Sequence, residues 1–219
     1  GQVAEAAVAL GVQREQQEFG DMLVGSYQDT YHNLTLKVMH GLKWACEQCW
    51  PRYILKMDED CFVNTNCLPA FLAELNTVSM GLYVGSLFSR KKRQVICEPS
   101  ASGTCRPSRD SRPDEYPPYP SGIGYILSLD AAEKILEATQ HVHPIPVEDA
   151  YIGILAEEAG VQARMSACFA KHNVRWHVCN YRYLMVIHHL SPHEQEAAQQ
   201  SMLQAHSACR HSLELTCWK

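Results

Sequence analysis

The sequence predicts an α/β fold, and three observations predict it. Short apolar runs of strand character alternate with longer runs of helical period along the 219 residues. That length fits one domain, and an apolar fraction of 46% is enough to fill its core. The acids Asp58, Glu59 and Asp60 arrive together behind an apolar strand, in ILKMDEDCFVN (54–64). Ligands of open α/β sheets gather at such carboxyl ends.

The elements follow in order. Residues 2–17 are Ala-rich with Val3, Ala6, Ala7 and Leu10 at helical spacing, and Asp21–Val24 reads as a short strand. Residues 30–46 form a helix with Leu34, Val38, Leu42 and Ala45 on one side, ended by Cys49-Trp50-Pro51. Residues 52–57 are a strand. Residues 66–76 are a helix that turns Leu68, Phe71, Leu72 and Leu75 inward, and 82–87 are the next strand. Residues 89–120 are a loop rich in Pro, Ser and Arg, of a length that usually signals function. Gly122–Leu129 is a strand, Asp130 caps a helix running through Ala138, and Asp149–Ala159 is a helix closed by Gly160. Tyr183–His188 is the last strand. Residues 193–219 begin as a polar helix and end as a cysteine-bearing tail. The whole of 1–219 reads as one domain with no internal repeat.

Three carboxylates at one strand end repel each other unless a cation sits among them, and hard divalent ions take carboxylate oxygens. A metal holding a diphosphate fits that arrangement. The net charge of −5 gives no support for nucleic-acid binding. The run Arg90-Lys91-Lys92-Arg93 reads as a solvated loop or as an attractor of anions. No stretch of 18 apolar residues exists and no signal peptide opens the chain, which starts at Gly1 and is read as a fragment of a longer protein.

Ten cysteines, with an Asn33-Leu34-Thr35 sequon, fit disulfides in an oxidising compartment. Cys97 with Cys105, and Cys209 with Cys217, are spaced to close short rings. Cys46-Glu47-Gln48-Cys49 has the spacing of a zinc or redox motif. No second such pair exists for zinc, and the motif follows a helix where a redox motif follows a strand.

Six segments in order carry a resemblance across residues 18–192: DTYHNLTLK (29–37) with Trp44 and Cys49 behind it, KMDEDCFVN (56–64), LYVGSLF (82–88), EYPPYPSGIGYILS (115–128), VEDAYIG (147–153) and VIHHLSP (186–192). Together they resemble the β-1,3-glycosyltransferase family, the inverting enzymes that include β-1,3-galactosyltransferases and β-1,3-N-acetylglucosaminyltransferases. The resemblance implies a GT-A-like, Rossmann-type mixed sheet flanked by helices. It implies a type II Golgi membrane protein whose catalytic domain faces the lumen, with a membrane anchor outside this chain.

The resemblance also assigns roles. It places Mn2+ at the acidic triplet, between the carboxylates and the diphosphate of a UDP-sugar donor. Asp60 is then a direct ligand, Asp58 meets the ion, its water or the ribose, and Glu59 and Lys56 belong to the donor site. His188 is the late histidine given to the metal, with His189 as the alternative. Asp149 is the base that deprotonates the hydroxyl of a glycan acceptor, and Glu148 a sugar or acceptor contact. Gly122, Gly124 and Tyr125 line the donor and acceptor pocket; Tyr116 and Tyr119, flanked by prolines, read as stacking platforms for a sugar ring or as ordinary loop packing. Without the resemblance, Glu148 and Asp149 read as a helix cap.

The departures from the family are specific. The chain begins just before the family's DI-x-x-DF region, the preceding strand and the Arg-rich I-R-x-T-W segment are missing from it, and residues 97–112 replace a basic-aromatic element. Leu155 stands where many relatives carry a cysteine that partners Cys49, which then pairs differently or stays free, and Ala150 replaces a valine. The reading is a metal-dependent transferase that moves galactose in β-1,3 linkage. An N-acetylglucosaminyl-transferring member, or a catalytically silent sugar-binding relative, is the alternative.

Overall fold

The structure, a computed structural model, describes residues 2–90, 93, 115–172 and 176–209, with the backbone alone for 2–7 and 206. Its elements are α1 (Gln2–Phe19), α2 (Leu34–Trp44), β1 (Tyr53–Met57), β2 (Phe62–Val63), α3 (Leu68–Leu75), β3 (Tyr83–Leu87) and β4 (Pro120–Ser128). They continue with α4 (Leu129–Ala138), α5 (Glu148–Glu158), β5 (Ala163–Met165), β6 (Phe169–Ala170), β7 (Val186–Ile187) and α6 (Pro192–Ala208). Among the described residues no helix is long and apolar enough to cross a membrane.

Two mixed sheets form. The larger has the order β1-β4-β3-β5, antiparallel except for the β3–β5 pair. The smaller has the order β2-β7-β6, with β2 antiparallel and β6 parallel to β7. The strand period of two divides the larger sheet's side chains between two cores. Tyr83, Tyr125 and Leu127 face α2, α4 and α5, where they meet Val38, Leu42, Ile135, Ile152 and Leu155. Leu82, Val84 and Ile126 face the other way, onto Phe169, Met185, Val186 and the apolar side of α3. The smaller sheet's outer face is covered by Leu190 and by α6 through Ala198 and Met202. Helices thus flank mixed sheets, as the sequence predicts.

Local chemistry explains most boundaries. α2 leads through a π-turn (Ala45–Cys49) into Trp50, whose positive φ of 51° and following proline stop the helix. α6 opens on a capping box between Ser191 and Glu194 with Pro192 in its first turn. Gly160, at φ 68°, closes α5. Thr35 of the sequon is buried, and its hydroxyl donates to the Ile145 carbonyl at 2.7 Å.

Several expectations are corrected. Asp21–Val24 is not a strand: Leu23 and Val24 are exposed and no strand pairs with them. Asp130 does not cap α4; Ser128 holds the cap position, and Asp130 accepts from the Gly81 amide at 3.0 Å and from the Ser128 hydroxyl at 2.7 Å. The strand expected at Tyr183–His188 is confined to Val186–Ile187, because the amides of Tyr183 and Leu184 are bonded back to the Asn180 carbonyl of the 3-10 turn Val178–Arg182. Cys209 does not close a ring with Cys217: it is bonded to Cys179, which staples the end of α6 to that turn. Cys46 and Cys49 are both free. The ring expected between Cys97 and Cys105, most of the 89–120 loop and the end of the tail lie outside the described residues.

Candidate functional site

The site begins where β1 ends. Tyr53–Met57 pairs with β4 so that Lys56 stands opposite Tyr125 and Met57 opposite Gly124. The chain then turns through Asp58, Glu59 and Asp60, with the Asp58 amide donating to the Ile123 carbonyl at 3.3 Å and the Leu190 amide to the Asp60 carbonyl at 2.9 Å. Those two bonds pin the turn between β4 and the segment that follows β7. The Gln195 side chain adds a third tie, to the Glu59 carbonyl at 2.9 Å.

One side of this turn is a candidate cation site. Asp58, Asp60 and His188 each present a ligand atom, and those atoms lie within 4.8 Å of one another. Nε2 of His188 is 3.3 Å from Oδ1 of Asp60, while its Nδ1 lies 3.2 Å from the Lys171 carbonyl. That second contact fixes the ring and leaves Nε2 for an ion. Two carboxylates and one imidazole fit a divalent cation with mixed oxygen and nitrogen ligands. Of the two histidines, the geometry favours His188. His189 is exposed, has a φ of 70°, and reaches Asp60 Oδ2 only at 4.0 Å. Glu59 is exposed and stands outside the triad.

The other side is an acid pair at the head of α5. Glu148 is buried. Its Oε1 accepts from the Tyr125 hydroxyl at 2.7 Å, and its Oε2 lies 3.4 Å from the Lys56 ammonium. Asp149 accepts the Gly122 amide at 3.0 Å and the Ala150 amide at 2.9 Å. Burial pushes both carboxyls above their usual range, against the opposing pull of Lys56 and Tyr125 on Glu148 and of the two amides on Asp149. Burial would lower the Lys56 ammonium, but the Glu148 and Asp58 charges outweigh it and the net shift is upward. Lys56 also stands 2.8 Å from Asp58 Oδ1, so one ammonium joins the Asp58 side of the turn to the acid pair.

The remaining predicted site residues divide sharply. Gly122 lies beside the acid pair, where a Cβ would meet Glu148 Oε2 at 3.2 Å and Lys56 Nζ at 3.5 Å. Gly124 does not: it is buried, and a Cβ there would meet Cγ1 of Val186 at 3.2 Å, so its missing side chain lets the two sheets pack together. Tyr125 has no exposed surface to offer a ligand and packs edge-on against Tyr83. The sugar contact expected of Glu148 meets the same obstacle, since both its oxygens point at Tyr125 and Lys56. Tyr116 and Tyr119 are buried against Ala150 and Phe88, so neither is a stacking platform. Arg93 and Arg90 are engaged with Glu115 at 3.2 and 3.0 Å, whereas Lys91 and Lys92 lie outside the described residues.

The sequence did not single out the partnership between Tyr125 and Glu148. The signal for it is the strand register: Lys56 and Tyr125 are direct cross-strand neighbours on the face that α5 covers.

Comparison with known proteins adds a family. The galactosyltransferase family profile matches residues 1–166. Mouse and human β-1,3-galactosyltransferase 1 are each 32% identical over 201 residues, covering 89% of this chain and 59% of theirs. Pig UDP-GalNAc:β-1,3-N-acetylgalactosaminyltransferase 1 is 33% identical over 205 residues, covering 89% of this chain and 60% of its own. The chain therefore spans about three fifths of the length of these curated relatives.

Proposed function

We propose, since this chain belongs to the galactosyltransferase family, that it is a metal-dependent inverting hexosyltransferase moving galactose from UDP-galactose onto a glycan acceptor in β-1,3 linkage. The observation that carries the reading is the Lys56 ammonium, which lies between the Asp58–Asp60–His188 triad and the Glu148–Asp149 pair.

Asp58, Asp60 and His188 would hold Mn2+. Bound there, the ion supplies charge neutralisation for the diphosphate of the departing UDP. Asp149 is the better placed of the two acids to act as base. It is less buried than Glu148, and its two backbone hydrogen bonds fix the carboxylate while leaving lone pairs on both oxygens. Its carboxylate takes the acceptor hydroxyl's proton as that oxygen attacks the anomeric carbon. The new glycosidic C–O bond forms on the face opposite the phosphate, the old C–O bond breaks, and UDP leaves with the electron pair. Attack from that face inverts the anomeric centre. Burial favours the neutral acid, so Asp149 holds the proton better than an exposed aspartate does.

Galactose is favoured by the relatives named as β-1,3-galactosyltransferases; the pig relative makes N-acetylgalactosamine the second donor to test. An oxidising setting such as the Golgi lumen is supported by the Cys179–Cys209 disulfide. A catalytically silent relative has no need of a base and a cation triad joined through one ammonium, so the enzymatic reading is preferred.

The test is transfer from UDP-galactose, UDP-N-acetylgalactosamine and UDP-N-acetylglucosamine to β-linked oligosaccharide acceptors, with Mn2+ and with a chelator. Product linkage is read by NMR. Metal-dependent β-1,3 transfer of galactose supports the reading. Metal-dependent UDP binding without transfer of any sugar favours the silent relative.

A further inference from the structure

We propose that Lys56 is a positioning residue that fixes the spacing between the cation site and the base, and is not a contact to the nucleotide. This inference rests on the transferase reading above and adds the part that aligns leaving group with base.

The ammonium of Lys56 is aimed at the protein itself. It reaches Asp58 Oδ1 at 2.8 Å, Glu148 Oε2 at 3.4 Å and the Gly122 carbonyl. Lys56 donates to Asp58 and to the Gly122 carbonyl and forms an ion pair with Glu148, so its head group is turned toward protein acceptors. The side chain is only 12% exposed, so little surface remains for a phosphate.

The acceptors come from three separate pieces of chain: the turn behind β1, the first residue of α5, and the start of β4. The same ammonium that holds Asp58 at the cation side holds Glu148 and Gly122 at the base side. Asp149 follows Glu148 directly and accepts the Gly122 amide at 3.0 Å. Fixing Glu148 and Gly122 therefore fixes Asp149. Tyr125, opposite Lys56 in the β1–β4 register, supports the arrangement by donating to the other oxygen of Glu148. Small misplacements of a base cost large factors in rate, so a tether between the two halves acts on turnover more than on binding.

Lys56→Met keeps the stem and removes the charged head. Its transfer kinetics are measured against donor, acceptor and Mn2+, beside thermal unfolding and the wild-type protein. The expected result is a fall in kcat of about tenfold or more, with donor KM within about twofold. The half-saturating Mn2+ concentration should not rise, because a positive neighbour of Asp58 has gone. A raised donor KM at retained kcat marks a nucleotide contact and overturns the proposal, as does a kcat within about twofold of wild type. Should the single variant fail to fold for want of a partner to buried Glu148, Lys56→Met/Glu148→Gln removes both charges. A double variant no slower than Glu148→Gln alone supports a shared role, and losses that multiply overturn it. Wild-type protein without metal-dependent transfer sinks the transferase reading and this inference together. Wild type that transfers beside an unimpaired Lys56→Met variant sinks this inference alone.

Discussion

Nε2 of His188 lies 3.3 Å from Oδ1 of Asp60, which joins the end of β7 to the acidic turn behind β1. Removing either side chain would take one of three proposed ligands from a cation bound there. Asp60→Asn and His188→Ala should each weaken Mn2+ binding by about tenfold or more, read by titrating the spin signal of free Mn2+. His189→Ala should change it by less than about threefold, given a 4.0 Å approach from an exposed ring. Equal losses from the two histidines would contradict the assignment.

The acid limb of the rate–pH profile should belong to Asp149. Burial raises its pKa, and a base works only when deprotonated, so kcat/KM should fall as pH drops through a value above the usual aspartate range. Asp149→Asn should lower kcat by about a hundredfold or more and abolish that limb. The same upward shift, shared by Glu148, has a stability consequence. The folded state binds these protons more tightly than the unfolded chain, so the contribution of the pair to stability falls as pH rises through the shifted range. Denaturant melts across pH should show less destabilisation in that range for Glu148→Gln/Asp149→Asn.

Gly153 should resist substitution for reasons of space. A Cβ there would sit 2.5 Å from the Cβ of Tyr119, where α5 crosses the segment leading into β4. Gly153→Ala should cost about 1–3 kcal/mol, measured by urea denaturation, and shift the Gly122–Asp149 contact with it. A neutral result would mean that Tyr119 moves freely, against its burial in that cluster.

The free cysteines should separate by reactivity. Cys49 is exposed, whereas Cys61 is buried with its thiol directed to the Ile123 carbonyl at 3.1 Å. Burial pushes the Cys61 thiol up to about 12, so little thiolate exists at neutral pH. Iodoacetamide on native protein, read by peptide mass spectrometry, should label Cys49 and spare Cys61. Labelling of both at equal rates would show that the acidic turn opens readily.

Period and turn chemistry made much of this molecule readable. The apolar face of α2, the inward set of α3, the glycine that closes α5 and the strand leading to Asp58 all follow from spacing. The acidic turn itself was legible because three carboxylates behind an apolar strand need an explanation. What local sequence hides is pairing at a distance. β2, β5 and β6 are two or three residues long and exist only because a neighbouring strand offers them a ladder. Asp21–Val24 has strand propensity but no such neighbour. Burial is hidden in the same way: the glycines and aromatics of SGIGY read as a ligand surface, yet Gly124 and Tyr125 pack inward while Gly122 lies beside the acid pair. Cysteine spacing favoured short rings, whereas the fold brought Cys179 to Cys209.

Calorimetric titration of UDP, with Mn2+ and with a chelator, tests most directly whether the acidic turn holds a nucleotide through a cation. Binding should appear only with the metal and disappear in Asp60→Ala. UDP binding of equal strength in the chelator, or binding untouched in Asp60→Ala, would contradict it.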